Sequence, residues 1–185
     1  LKKLLSACLL SACLIIAALP ASASEPPSIN ARGAIIGEMT TGQVVYELNA
    51  DEKLYPASTT KIMTAILALE NGNMNDIVTV SESAVNGLAE SGSSVLLKAG
   101  EQMVFSDMVT YLLVASGNDA ANALAEHISG SVSAFVELMN QKAQELGCEN
   151  THFANPHGLH DENQHTTAAD MYKITKYALD NLPIF

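Results

Sequence analysis

Ser58 and Lys61 stand one helical turn apart in Tyr55-Pro56-Ala57-Ser58-Thr59-Thr60-Lys61-Ile62-Met63-Thr64. The run from Ile62 to Leu69 is almost wholly apolar, so the pair opens a helix that is apolar all round and therefore buried. The positive end of a helix dipole and burial both disfavour an ammonium, and together they push Lys61 towards its neutral amine. Such an amine, on the same helix face as a serine hydroxyl, can take its proton and make the oxygen a nucleophile. A plainer reading exists: Pro and Ser are ordinary helix-start residues, and about one Ser-x-x-Lys is expected by chance in a chain of this length. The chemical reading gains weight because the pair occurs once, opens a buried helix and has a second element downstream.

That element is Val114-Ala115-Ser116-Gly117-Asn118-Asp119, between two helical patterns, Asp107 to Leu113 and Ala120 to Ile128. A serine hydroxyl and an asparagine amide two positions apart in a tight turn can face one cleft, the hydroxyl relaying a proton and the amide holding a carbonyl. Asn and Gly also suit a plain interhelix turn. A second Ser-x-Asn, Ser28-Ile29-Asn30, lies upstream of Ser58 in an exposed leader and is read as chance.

Pro56-Ala57-Ser58-Thr59-Thr60-Lys61, Ser116-Gly117-Asn118-Asp119-Ala120-Ala121 and Asn155-Pro156-His157-Gly158-Leu159, followed by Thr166-Thr167-Ala168-Ala169-Asp170-Met171, together resemble the low-molecular-mass penicillin-binding proteins, the serine-type D-alanyl-D-alanine carboxypeptidases. The resemblance runs from about Ala34 to the last helix. It implies an acyl-enzyme on Ser58, with Lys61 as its base, Ser116 passing a proton to the departing amine, and Asn118 holding Lys61 and the substrate amide in register. The substrates it implies are peptidoglycan stem peptides ending in D-Ala-D-Ala, with β-lactam antibiotics as covalent inhibitors and no cofactor. The family's third element, a Lys-Thr-Gly strand that binds the substrate carboxylate and lines the oxyanion site, is absent; Lys98-Ala99-Gly100 is the nearest string and precedes Ser116. The sequence therefore reads as the N-terminal part of a longer enzyme or as a truncated relative, expected to turn over little by itself. A serine β-lactamase, disfavoured by Gly117 and by the lack of a Glu-x-x-Leu-Asn string, and a non-catalytic penicillin-recognising module are the alternatives.

The start of the chain agrees with export. Lys2 and Lys3, the apolar Leu4 to Leu19 and the small residues Pro20 to Ala23 have the three-part layout of a secretory signal, assigned to residues 1–23. Two Leu-Ser-Ala-Cys strings, ending at Cys8 and Cys13, leave a lipoprotein start as the alternative. An extracytoplasmic location follows, and any membrane attachment would come from a region beyond this sequence. Cleavage leaves Cys148 alone, unable to form an internal disulfide; it reads as a small apolar filler, with nearby His152 keeping a catalytic thiol as the rival reading. The net charge of −11, more acidic still without Lys2 and Lys3, argues against nucleic acid as a partner. His152, His157, His160 and His165 are dense but match no metal-ligand spacing, so no metal is expected.

Residues 24–33 read as a leader and 34–185 as the catalytic part. Gly33 to Glu38 and Gly42 to Glu47 alternate as a hairpin, and helices are predicted over Ser58–Glu70, Ser106–Leu113, Asn118–Ile128, Val132–Leu146 and Thr167–Leu182. A short strand is predicted at Ile77–Val80 within an otherwise loose segment from Asn75 to Glu101. Strands followed by many helices give an α+β fold, and the resemblance makes it the penicillin-binding protein and serine β-lactamase type, incomplete without its C-terminal strands. The hairpin should then expose an open edge, and residues 24–185 alone are expected to be poorly soluble or only partly folded.

Overall fold

The structure, a computed structural model, describes residues 28–86, 88, 92–183 and 185. The proposed signal segment and residues 24–27 of the leader lie outside the described residues. Ser28, Ile29 and Asn30 are exposed and without regular structure, and the folded unit begins at Ala31.

Strands β1 (Ala34–Gly37) and β2 (Val44–Leu48) form the expected antiparallel hairpin, with Ala34 opposite Leu48 and an irregularity between Ile36 and Gly37. Glu38 shapes its turn by accepting from the backbone N–H groups of Thr40 and Thr41, and those bonds, with the Thr41 hydroxyl, hold its carboxyl down to about 2. Ile36, Val44 and Val45 are exposed, while β1 packs against the C-terminal helix.

A 3-10 turn at Ala57–Thr60 leads directly into α1 (Lys61–Asn71), so the expected helix from Ser58 is a tighter turn joined to an α-helix that starts at Lys61. Strand β3 (Ile77–Thr79) pairs antiparallel with β4 (Gln102–Val104), and a single-turn helix α2 (Glu82–Val85), capped by Ser81, lies between them. Neither β4 nor α2 is predicted: β4 merges into the helical pattern that follows it, and the single turn of α2 carries too little periodicity to be read. Helices α3 (Phe105–Val114), α4 (Asn118–Ser129), α5 (Val132–Glu145) and α6 (Ala168–Asn181) follow within a residue or two of expectation. The capping at the start of α6 is as the sequence suggests: the Thr167 hydroxyl accepts from the Asp170 N–H at 3.0 Å.

Helix α1 lies against α3, α4, α5 and α6. Its Ala65 and Ala68 belong to a core with Phe105, Met108 and Leu124, and its Met63, Ile66 and Leu67 to a second core with Phe135, Met139 and Phe153. The helix that begins at Lys61, directly after the turn carrying Ser58, is thus the shared wall of both cores. Cys148 sits in the second core, where burial pushes its thiol up to about 11; it donates to the Asp170 carbonyl at 3.7 Å, while His152 Nδ1 donates to the Asn163 carbonyl at 2.9 Å. The apolar-filler reading fits this environment. No helix among the described residues is long and apolar enough to cross a membrane.

Candidate active site

The fold brings Lys61 into hydrogen-bond contact with Ser58 and Asn118 and places Ser116 on a cavity shared with Ser58 and Lys61. Lys61, 3% exposed, sits at the start of α1 with its Nζ 3.2 Å from Ser58 Oγ, 2.7 Å from Asn118 Oδ1 and 2.7 Å from the His157 carbonyl oxygen. An ammonium would use three hydrogens on three acceptors. A neutral amine has only two, and Asn118 Oδ1 and the carbonyl can only accept. The amine's lone pair is then left for Ser58, whose hydroxyl must donate to it.

Burial pushes the Lys61 amine down to about 8, against the Asp119 carboxylate, which favours the charged form. Roughly a tenth of the amine is then neutral at pH 7. The expected direction holds, and burial is its cause.

Ser116 is half-buried in the turn between α3 and α4 with a left-handed φ of 57°, and it shares a cavity of about 350 Å³ with Ser58, Lys61, Ile62 and Leu113. On the other side, Ser58 and Asn118 share a cavity of about 310 Å³ with Tyr55, Ser93, His157 and His160. Ser58 itself is exposed, so a carbonyl can reach its oxygen from the cleft. Its amide lies in the first turn, where an N–H has no intrahelical acceptor and can donate to a developing oxyanion. A larger recess of about 530 Å³, lined by Glu47, Asn49, Ala50, Asp51 and Glu52, contains none of these residues.

Two supports hold the Lys61 site in place, the first in a motif that carries the resemblance and the second a buried carboxylate that the sequence does not mark. The first is the segment 154–158. Asn155 Oδ1 accepts from the Gly158 N–H at 2.7 Å, Pro156 O accepts from the buried Thr64 hydroxyl at 2.6 Å, and Gln164 ties the segment to Thr60. This fixes the His157 carbonyl on Lys61. The His157 ring is pushed down to about 4 by burial and by the Lys61 charge, and its Nδ1 accepts from the Leu159 N–H, so the neutral ring carries its hydrogen on Nε2. The sequence reads Asn155-Pro156-His157-Gly158 as a turn, but a backbone acceptor leaves no side-chain signal.

The second is Asp119, 1% exposed, in the first turn of α4. Burial opposes its charge, but bonds from the Ser94 hydroxyl and the N–H groups of Leu97, Val95 and Ala120 outweigh that and lower its pKa. The Asn118 N–H donates to the Ser93 carbonyl at 2.9 Å, so α4 and the 93–97 segment set one another's position at the cleft edge. Asp119→Ala leaves at least two buried N–H groups unpaired and should cost about 3 kcal/mol. Calorimetry measures the loss, and hydrogen exchange should show Val95 and Leu97 losing protection before the core does.

Among the described residues no group of three or more His, Cys, Asp or Glu is placed to hold a metal. His152 and His165 stack with ring centroids 6.1 Å apart, and both direct Nδ1 at the Asn163 carbonyl.

A family model described as D-alanyl-D-alanine carboxypeptidase, peptidase S11, matches residues 20–184. The chain is 41% identical over 163 residues to D-alanyl-D-alanine carboxypeptidase DacA of Haemophilus influenzae, covering 85% of this chain and 42% of that protein. It is 46% identical over 154 residues to D-alanyl-D-alanine carboxypeptidase DacF of Bacillus subtilis, covering 80% and 39%. The chain therefore spans about two fifths of the length of these curated relatives. Among solved structures it is similar to penicillin binding protein 5 from Haemophilus influenzae, with a TM-score of 0.82 and 40% identity over 88% of this chain and 48% of that one. Penicillin binding protein 6B from Escherichia coli gives a TM-score of 0.83 at 35% identity, over 89% and 54%.

Proposed function

This chain belongs to the peptidase S11 family, the D-alanyl-D-alanine carboxypeptidases, and from that premise we propose that the protein removes the terminal D-alanine from peptidoglycan stem peptides through an acyl-enzyme on Ser58. The observation that carries the reading is the Lys61 amine, buried, with two strong acceptors beside it and its remaining valence facing Ser58 Oγ at 3.2 Å.

In this reading neutral Lys61 takes the Ser58 proton as Oγ forms a bond to the carbonyl carbon between the two D-alanines. Collapse of the tetrahedral intermediate breaks the C–N bond. The proton returns through Ser116 to the departing amine, which leaves as D-alanine. Asn118 holds the amine through Oδ1 and offers its NH₂ group to the substrate amide. Water, losing its proton to the regenerated amine, then cleaves the ester and releases the shortened peptide. Residues 1–23 act as an export signal, 24–33 as a leader and 34–185 as part of the catalytic domain. The site of action is the extracytoplasmic cell wall, and β-lactams acylate the same serine.

The test uses labelled penicillin on the full-length protein across pH. Because the reactive form of Lys61 is the neutral one, acylation of Ser58 should rise about tenfold per pH unit from pH 6 and level off above about 8. A long-lived adduct on Ser58, with D-alanine released from D-Ala-D-Ala peptides, supports the reading. Rapid release of the opened penicillin without D-alanine release would instead indicate a β-lactamase, and no adduct at all a binding module.

A further inference from the structure

The two cavities that meet at Ser58 are chemically unlike. One holds Ser116 and the apolar Ile62, Leu112 and Leu113; the other holds Asn118 and two exposed aromatic rings, Tyr55 and His160. Those rings form an edge-to-face pair with centroids 4.6 Å apart and an interplanar angle of 75°. Tyr55 is 59% exposed, and neither ring belongs to either core, so burial does not account for the pair.

The backbone under both rings is fixed. Leu54, next to Tyr55, is bridged to Thr166 by hydrogen bonds of 2.8 and 2.9 Å, and the Leu159 carbonyl, next to His160, accepts from Asn155 Nδ2 at 2.9 Å. Such a pair presents a preset surface at little cost in ordering on binding.

The direction of a bound peptide follows from Asn118. Lys61 donates to Asn118 in both its forms, because an ammonium has no lone pair and the lone pair of the neutral amine faces Ser58, so Asn118 must turn Oδ1 to it and direct its NH₂ elsewhere. With the reacting carbonyl at Ser58 and the preceding peptide carbonyl on that NH₂ group, the leaving amine faces Ser116. The acyl portion then runs into the cavity walled by the two rings.

We infer that Tyr55 and His160 form a recognition wall for the side chain of the residue preceding the D-alanine pair, suited to an aliphatic or aromatic group lying against the ring edges. This rests on the carboxypeptidase reading of Ser58.

Two β-lactams separate the wall from the reactive pair: benzylpenicillin, whose acylamino group ends in a phenyl ring, and 6-aminopenicillanic acid, which lacks that group. Second-order acylation rates are measured for full-length wild-type, Tyr55→Ala, His160→Ala and Tyr55→Phe proteins. Each alanine variant should lower the ratio of the benzylpenicillin rate to the 6-aminopenicillanic acid rate by about tenfold, and Tyr55→Phe, which keeps the ring, should hold it within about twofold of wild type. An unchanged ratio in both alanine variants, or two rates that fall in equal proportion, would overturn the wall. If neither compound labels the wild-type protein, the reading of Ser58 falls and the subsite falls with it.

Discussion

Replacing Lys61 by methionine should slow acylation of Ser58 by penicillin about a thousandfold or more, the scale expected when a hydroxyl loses the base that makes it a nucleophile. Methionine has similar length and no charge, so it keeps the packing at the start of α1 while removing the lone pair. It leaves Asn118 Oδ1 and the His157 carbonyl without their donor, but it also removes a buried ammonium. These effects on stability oppose one another. The melting temperature should therefore move little compared with the change in rate.

Lys61→Arg sharpens the comparison. Arginine restores a cation and hydrogen bonds but stays protonated, so it should be about as inactive as methionine if proton acceptance is the role of residue 61. Acylation within tenfold of wild type by either variant, measured by stopped-flow or intact mass, would remove Lys61 from the mechanism. Its burial carries a second signature. The amine loses its proton at about pH 8 in the fold and near 10.5 when unfolded, so the unfolded state binds more protons between those values. Wild-type stability should gain from this residue as pH rises through that window, and Lys61→Met should abolish that gain.

The second large effect is expected at Gly158. A Cβ built there would lie 1.9 Å from the Ala57 carbonyl oxygen, 2.4 Å from the Ala57 carbonyl carbon and 3.0 Å from the Ser58 nitrogen. All three are backbone atoms, so no rotamer change relieves the overlap. Ala57 already holds a left-handed φ of 48° immediately before Ser58, and Gly158 has φ 92°. Gly158→Ala must move the turn carrying Ser58, or the segment carrying the His157 carbonyl, by a substantial fraction of an ångström. A displacement of that size should lower acylation about a hundredfold.

Gly130 supplies the control. It has φ 77°, but a Cβ there would meet nothing within 4 Å. Gly130→Ala thus carries the left-handed strain alone, worth about 1 kcal/mol, and should leave acylation unchanged. Equal acylation rates in the two alanine variants would show that Gly158 does not seat the nucleophile.

What could be read in the chain tracks how local each signal is. Ser58 and Lys61 are three residues apart, and Thr167 caps a helix through Asp170 three residues on, so spacing alone exposes both. Ser116 and Asn118 are visible because the turn between two helical patterns is short. The His157 carbonyl meets Lys61 across 96 residues through an atom that every residue possesses, and nothing in the residue types marks it. The 93–97 segment looks loose because its order comes from distant bonds, to the Asp119 carboxylate and from the Asn118 N–H. Strand β4 is three residues long and runs straight into α3, so the helical pattern that follows absorbs it. The α+β class and the long helices came through because each extends over several turns of consistent periodicity.

The partners of Lys61 belong to three stretches of chain, at Ser58, Asn118 and His157, and the helix that begins at Lys61 contributes side chains to both cores. On the proposed mechanism, a molecule with either half unravelled cannot be modified by the antibiotic. A fluorescent penicillin would then count natively assembled molecules in a mixed preparation, a chemical substitute for a conformation-specific antibody.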